Sequence, residues 1–200
     1  MTTSGFKRLT LVTLAAGALA AALSACAPLV VGGVMVGGAL VVSDRRTSGA
    51  QLEDEGIELR SANRIKDTVG DKAHVNVTSY NRAVLISGEV PDDATRQQAE
   101  QVVRRVAEVR QIYNEAAILP ASTLGSRSTD TWLTTRAKTA LFDVDGIRDF
   151  DPTRVKVVTE RGIVYLMGLV RAREADAVTA AVRRVPGVQK VVRLFEYLDS

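Results

Sequence analysis

Gly88 and Gly168 lie 80 residues apart, at matching places in two similar segments, and this repeat constrains the fold more than any other feature. The first copy holds Val75-Asn76-Val77-Thr78-Ser79-Tyr80 and then Ala83 to Val90. The second holds Val155-Lys156-Val157-Val158-Thr159-Glu160 and then Ile163 to Val170. Further on, Val103-Arg104-Arg105-Val106 matches Val182-Arg183-Arg184-Val185 at a spacing of 79, a slip of one residue in the helix or its loops. Two copies of one small unit follow.

Each copy reads helix, strand, strand, helix, strand. In the first, Leu59, Ala62, Ile65 and Val69 recur at helical spacing, and Val75 and Val77 then alternate with polar residues. Asn81-Arg82 predicts a tight turn, as Glu160-Arg161-Gly162 does in the second copy. Pro91-Asp92-Asp93 breaks the second strand and offers a helix cap; Ala99, Val102, Val103 and Val106 share the face of the helix that follows, and a strand runs from Val109 to Ile118. Pro186-Gly187 ends the matching helix of the second copy. A strand–helix–strand crossover makes the second and third strands parallel, while the hairpin is antiparallel. The fold class is α+β, with two tandem α-β-β-α-β domains at residues 57–119 and 129–199 and a linker at 120–128. Each is a three-stranded mixed sheet packed against two helices. Gly88 and Gly168 are structural glycines, placed mid-strand where a missing side chain would let a helix approach.

Ahead of the repeat, an apolar segment beginning after Lys7 and Arg8 ends in Leu23-Ser24-Ala25-Cys26, which holds the single cysteine of the chain. A charged start, an apolar run and small residues make residues 1–25 a secretory signal peptide. The four residues resemble a bacterial lipobox; an incidental cysteine after an ordinary signal, or a short membrane anchor, is the plainer alternative. By that resemblance Cys26 carries a diacylglycerol and an N-acyl chain, and Ala27 after it, in place of an aspartate, points to the outer membrane. Each buried methylene contributes about 0.8 kcal/mol, so several chains anchor stably where one does not. Residues 26–56 form a spacer. Its apolar, glycine-rich part, Ala27 to Val42, falls short of the roughly 20 residues that span a bilayer, and Asp44 to Glu55 reads as extended polar linker.

No catalytic constellation emerges. His74 is the only histidine, in what reads as a polar surface loop, so metal sites built from His or Cys clusters are excluded and no metal or other cofactor is expected. Asp143-Val144-Asp145-Gly146 imitates the start of a calcium loop, but Arg154 stands where its last carboxylate belongs. Arg104-Arg105 and Arg183-Arg184 read as solvated helix faces. Neither nucleic acid nor a small-molecule substrate is indicated.

The order of elements, with a glycine in the second strand, resembles the BON domain, and the whole mature chain resembles dual-BON outer-membrane lipoproteins. The resemblance is carried by Val75-Asn76-Val77-Thr78, Asp130-Thr131-Trp132-Leu133-Thr134-Thr135, Val164 to Val170 and Arg173-Glu174-Ala175. It implies a non-enzymatic protein anchored on the periplasmic face of the outer membrane, concentrated at division sites and supporting barrier integrity. It further implies that the second domain binds an anionic phospholipid membrane through its first helix, with envelope or division proteins as further partners.

That helix reads from Thr129 to Phe142, capped by Thr129 or Asp130, with Leu133, Ala137, Ala140 and Leu141 toward the sheet. Trp132 lies beside the seam, Arg136 one turn on and Lys138 nearby. An indole suits the boundary between headgroup and acyl chain, and each basic side chain near an anionic surface contributes about 1 kcal/mol. Trp132, Leu133, Arg136 and Lys138 are the candidate phospholipid contacts. A tryptophan half-buried against its own domain is the competing reading. The position matching Trp132 in the first copy is expected to be polar, which assigns that copy a structural or partner-docking role. An alternative function is a periplasmic interaction or chaperone-like module whose sheet faces or edges bind protein clients, the lipid serving only as a tether.

Overall fold

The computed structural model describes residues 44–144 and 146–198. The signal segment, Cys26, the glycine-rich spacer and Asp145 lie outside these residues. Helix α1 (Ser48–Val69) opens the first domain, followed by β1 (His74–Tyr80), β2 (Ala83–Val90), α2 (Asp93–Arg104), β3 (Gln111–Asn114) and β4 (Ala117–Ile118). Helix α3 (Leu124–Leu141), β5 (Val155–Glu160), β6 (Ile163–Val170), α4 (Ala172–Arg183) and β7 (Lys190–Tyr197) form the second.

The topology is the expected one in both copies. β1 and β2 pair antiparallel around Asn81-Arg82, and β5 and β6 around Arg161-Gly162. All four turn residues have positive φ, as a two-residue hairpin turn of the primed kind demands. β3, β4 and β7 run parallel to their central strands. The strand expected from Val109 to Ile118 is broken after Asn114. There Ala116 turns into the core, and Asn114 donates through Nδ2 to Arg96 O at 3.0 Å.

The first helix of each copy starts earlier than the sequence reading has it. α1 begins at Ser48, capped by the Thr47 hydroxyl accepting from Ala50 N–H, so most of the stretch read as extended linker is helix. α3 begins at Leu124, capped by Thr123, and absorbs much of the stretch read as a linker at 120–128. Serine and threonine hydroxyls there donate to carbonyls one turn back (Ser128 to Leu124 O, Thr129 to Gly125 O), so they cap nothing and the helix continues through them. The buried stripe of α1 is Ile57, Ser61, Ile65 and Val69 rather than one through Leu59 and Ala62, which face solvent.

Each sheet packs one face on its two helices. Ile57, Ile65, Val84, Ile86, Val90, Ala99 and Val103 make the first core; Ala137, Leu141, Val164, Leu166, Val178, Val182 and Phe195 belong to the second. The opposite faces pack on each other, with Tyr80 and Leu85 meeting Tyr165, Met167 and Leu194. Burying a large apolar side chain contributes about 1.5–3 kcal/mol, so this third cluster joins the domains firmly. Around it Tyr80 Oη donates to Arg154 O at 3.1 Å, Lys156 Nζ to Glu58 Oε1 at 2.7 Å and Asn81 Nδ2 to Glu196 Oε2 at 2.6 Å.

The glycines serve strand pairing, not helix approach. A Cβ on Gly88, whose φ is +110°, would collide with the His74 carbonyl on the neighbouring strand. One on Gly168 would lie 2.8 Å from Arg154 O.

Candidate functional site

The outer side of α3 carries three large apolar side chains in water. Leu124 is 80% exposed, Trp132 50% and Phe142 71%. At 3.6 residues per turn Leu124 and Phe142 fall on one line of the helix, about five turns apart, with Trp132 within a quarter turn of that line. The Arg136 guanidinium lies 4.7 Å from the centroid of the Trp132 ring, a cation–π contact. Lys138 is exposed one turn before Phe142. These are separated apolar side chains rather than a continuous stripe: the exposed hydroxyl residues Ser128, Thr131 and Thr135 fill the line between Leu124 and Phe142, with Arg136 and Lys138 to either side of it.

Of the four expected contacts, Trp132 and Arg136 come together, while Lys138 lies about 120° round the helix from Trp132, in the cleft beside Phe142. Leu133 joins neither. It is only 2% exposed and points inward, its Cδ2 occupying the space a Cβ at Gly187 would need. A residue next to Trp132 lies about 100° round the helix, which is enough to turn it into the core. Phe142 and Leu124 were missed. They lie on the line of the exposed face, a signal available once the helix is drawn from Leu124.

The two copies differ at this face. Asp54 and Asp130 occupy equivalent places against the hairpin turns, and that alignment sets Gly56, not a polar residue, opposite Trp132. The first copy has no indole to offer there.

Arg45 and Arg46 form a strap across both domains. Arg45 makes a two-pronged ion pair with Glu174 of α4, at 2.6 and 2.7 Å, and donates to Leu169 O at 2.9 Å. Burial alone would raise the Glu174 carboxyl, but the Arg45 contact and the Arg171 N–H outweigh it and hold the carboxyl below its ordinary value. Arg46 binds Asp44 and Asp54 and lies 4.0 Å from the Tyr80 ring centroid. Arg46, Tyr80, Lys138, Phe142 and Lys156 line one cleft of about 360 Å3. The described residues therefore begin, at Asp44 to Arg46, near the Phe142 end of α3.

His74 is not in a surface loop. It opens β1, and its Nδ1 lies 3.1 Å from Glu89 Oε2. Glu160 of the second domain comes beside it, held by Asn76 Nδ2 at 2.9 Å. Burial raises the Glu160 carboxyl above its ordinary value; the Asn76 hydrogen bond opposes this and the neighbouring Glu89 and Asp130 reinforce it. The hairpin register pairs His74 with Glu89, which a two-residue turn at Asn81-Arg82 already implies. Glu160 arrives only through domain packing.

The BON domain family model matches residues 53–120 and 129–199. This chain belongs to the BON domain family, as a two-domain protein of the DolP type. It is 37% identical over 179 residues to the outer membrane lipoprotein DolP of Haemophilus influenzae, covering 88% of this chain and 91% of that one. It is 35% identical over 158 residues to a 21 kDa hemolysin of Actinobacillus pleuropneumoniae, covering 78% and 80%. The C-terminal domain of CdsD, a type III secretion structural protein of Chlamydia trachomatis, overlays with a TM-score of 0.30 at 11% identity, covering 68% of this chain and 96% of that one.

Proposed function

We propose that this chain is a non-enzymatic lipoprotein of the outer membrane, anchored through acyl chains on Cys26 and facing the periplasm. Its second domain binds anionic phospholipid through Trp132, Phe142, Arg136 and Lys138, and so supports the envelope barrier, with division sites as the place of action. This lipid binding calls on no cofactor beyond the acyl chains. The observation that carries this reading is the exposure of Leu124, Trp132 and Phe142 along the outer side of α3, with Arg136 on the Trp132 ring and Lys138 near Phe142. The strap at Arg45 and Arg46 supports it, because a tether joined there, near Phe142, holds this side of α3 at high effective concentration near the membrane. A weak site then suffices. The sheet faces that a client-binding module would offer are taken up by domain packing, which leaves that alternative only the sheet edges.

Trp132 is the only tryptophan, so its fluorescence reports this side of α3 directly. The test uses residues 26–200 with Cys26→Ala, which keeps the strap and removes the anchor. A blue shift with phosphatidylglycerol vesicles, weakened by salt and absent with phosphatidylcholine, supports phospholipid binding. No shift with either, in a folded chain, leaves the tether as the sole membrane contact and favours the protein-interaction module.

A further inference from the structure

Away from the outer side of α3, three ionisable side chains from both domains converge on one point at the domain junction. His74, Glu89 and Glu160 each offer a ligand atom, all within 4.8 Å of one another. Glu89 is fully buried. Its Oε2 is held by Ser122 N–H at 3.1 Å and faces His74, but its Oε1 accepts no hydrogen bond. The nearest cation to that oxygen is Arg161 Nη1 at 3.8 Å, beyond hydrogen-bonding distance. A buried carboxylate oxygen without a donor is costly, and here a second carboxylate sits beside it. Arg161 offers Glu89 a long ion pair only, with no hydrogen bond to Oε1.

We propose that His74, Glu89 and Glu160 bind one divalent transition-metal ion, of the zinc class, which ties the two domains together. One imidazole with two carboxylates is a borderline donor set, suited to zinc and unlike the all-oxygen shells of calcium or magnesium. Ligand bonds of about 2.0–2.2 Å require the donor atoms to close around the ion, which the partly exposed His74 allows. Asn76 orients Glu160 and the Ser122 N–H orients Glu89, the supporting contacts that metal ligands require. An entry path exists, a cleft of about 170 Å3 whose lining includes His74, Arg127, Asp130, Thr159 and Glu160. Of the other charges about the group, Asp130 favours a cation, while Arg127 and Arg161 oppose one. Because Glu160 belongs to the second domain and the other two ligands to the first, the ion acts on the junction itself.

His74 is the only histidine, so an untagged chain reports coordination through one imidazole. Full-length protein carrying Cys26→Ala, so that no thiol competes, is stripped with chelator and titrated with Zn2+ in detergent. We expect one equivalent to bind, the His74 ring resonances to shift in step with it, and the thermal midpoint to rise. Glu160→Gln, which keeps the side-chain size, lowers the affinity at least tenfold and removes the thermal gain, while Arg161→Gln tightens binding. Unmoved His74 resonances in the folded Cys26→Ala chain with Glu160 and Arg161 intact would overturn the proposal. So would Zn2+ binding that survives Glu160→Gln undiminished.

Discussion

Asp130 stands to the hairpin turn of the second domain as Asp54 stands to that of the first. Asp130 accepts the backbone N–H groups of Arg161 and Gly162 at 2.9 and 2.8 Å. Asp54 accepts those of Asn81 and Arg82, both at 2.7 Å, and adds Ser79 Oγ and Arg46. A buried carboxylate on the first helix thus pins a strained turn between two strands, once in each domain.

Removing either carboxylate strands two turn N–H groups and frees residues held at positive φ. Asp130→Ala is expected to cost about 2–4 kcal/mol. Asp54→Ala should cost more, about 3–5 kcal/mol, because it also leaves Arg46 without one of its partners. Urea unfolding of the two variants measures the difference, and an equal loss would contradict the larger role of Asp54.

Neighbours on α3 should behave in opposite ways. Trp132→Ala and Phe142→Ala are expected to weaken binding to anionic vesicles while changing stability by no more than about 0.5 kcal/mol, as exposed positions do. Leu133→Ala should cost about 2–4 kcal/mol of stability. Its vesicle binding should stay intact wherever the protein remains folded. Vesicle sedimentation alongside thermal unfolding separates the two classes.

The Arg45–Glu174 pair makes a pH prediction. Glu174 has a folded-state pKa below its ordinary 4.5, so the folded state binds fewer protons than the unfolded one in that window. The stability this pair contributes is present in full above 4.5 and disappears as the pH falls through the lowered folded value. The gap in stability between the natural chain and Glu174→Gln should therefore be constant from pH 6 to 8 and shrink below about 4.5. A gap that widened in acid would refute the assignment.

Alanine at the two strand glycines should not be equivalent. Gly88→Ala faces both a positive φ and a collision with the backbone of the neighbouring strand, so the first domain should lose several kcal/mol or fail to fold. Gly168 lies outside the positive-φ region and meets only the close approach to Arg154 O. A cost of about 1–3 kcal/mol is expected, readable by chemical denaturation.

Much of the fold was legible because its signals are local. The 80-residue repeat, the two turns and the Asp92 cap each rest on a few adjacent residues with restricted backbone choices. The helix starts were not. Thr129 and Asp130 look like caps in sequence, yet Thr129 bonds backward within the helix and Asp130 is spent on a turn 31 residues away. Ser61 hid the true stripe of α1, since a small polar residue on a buried face breaks an apolar pattern without preventing packing.

The sequence by itself determined the element order, the parallel and antiparallel pairings and the presence of an indole and two cations on one helix. These follow from hydrophobic period, turn chemistry and chirality, which act over short spans. Only the tertiary structure decided that Leu133 is core, that Phe142 joins Trp132 on the outer side of α3, and that the two sheets bury their second faces on each other. It alone brought Arg45 to Glu174 and Glu160 to His74. Those contacts join residues 129 and 86 positions apart in the chain, and such pairs are set by how two domains fit rather than by anything written near either residue.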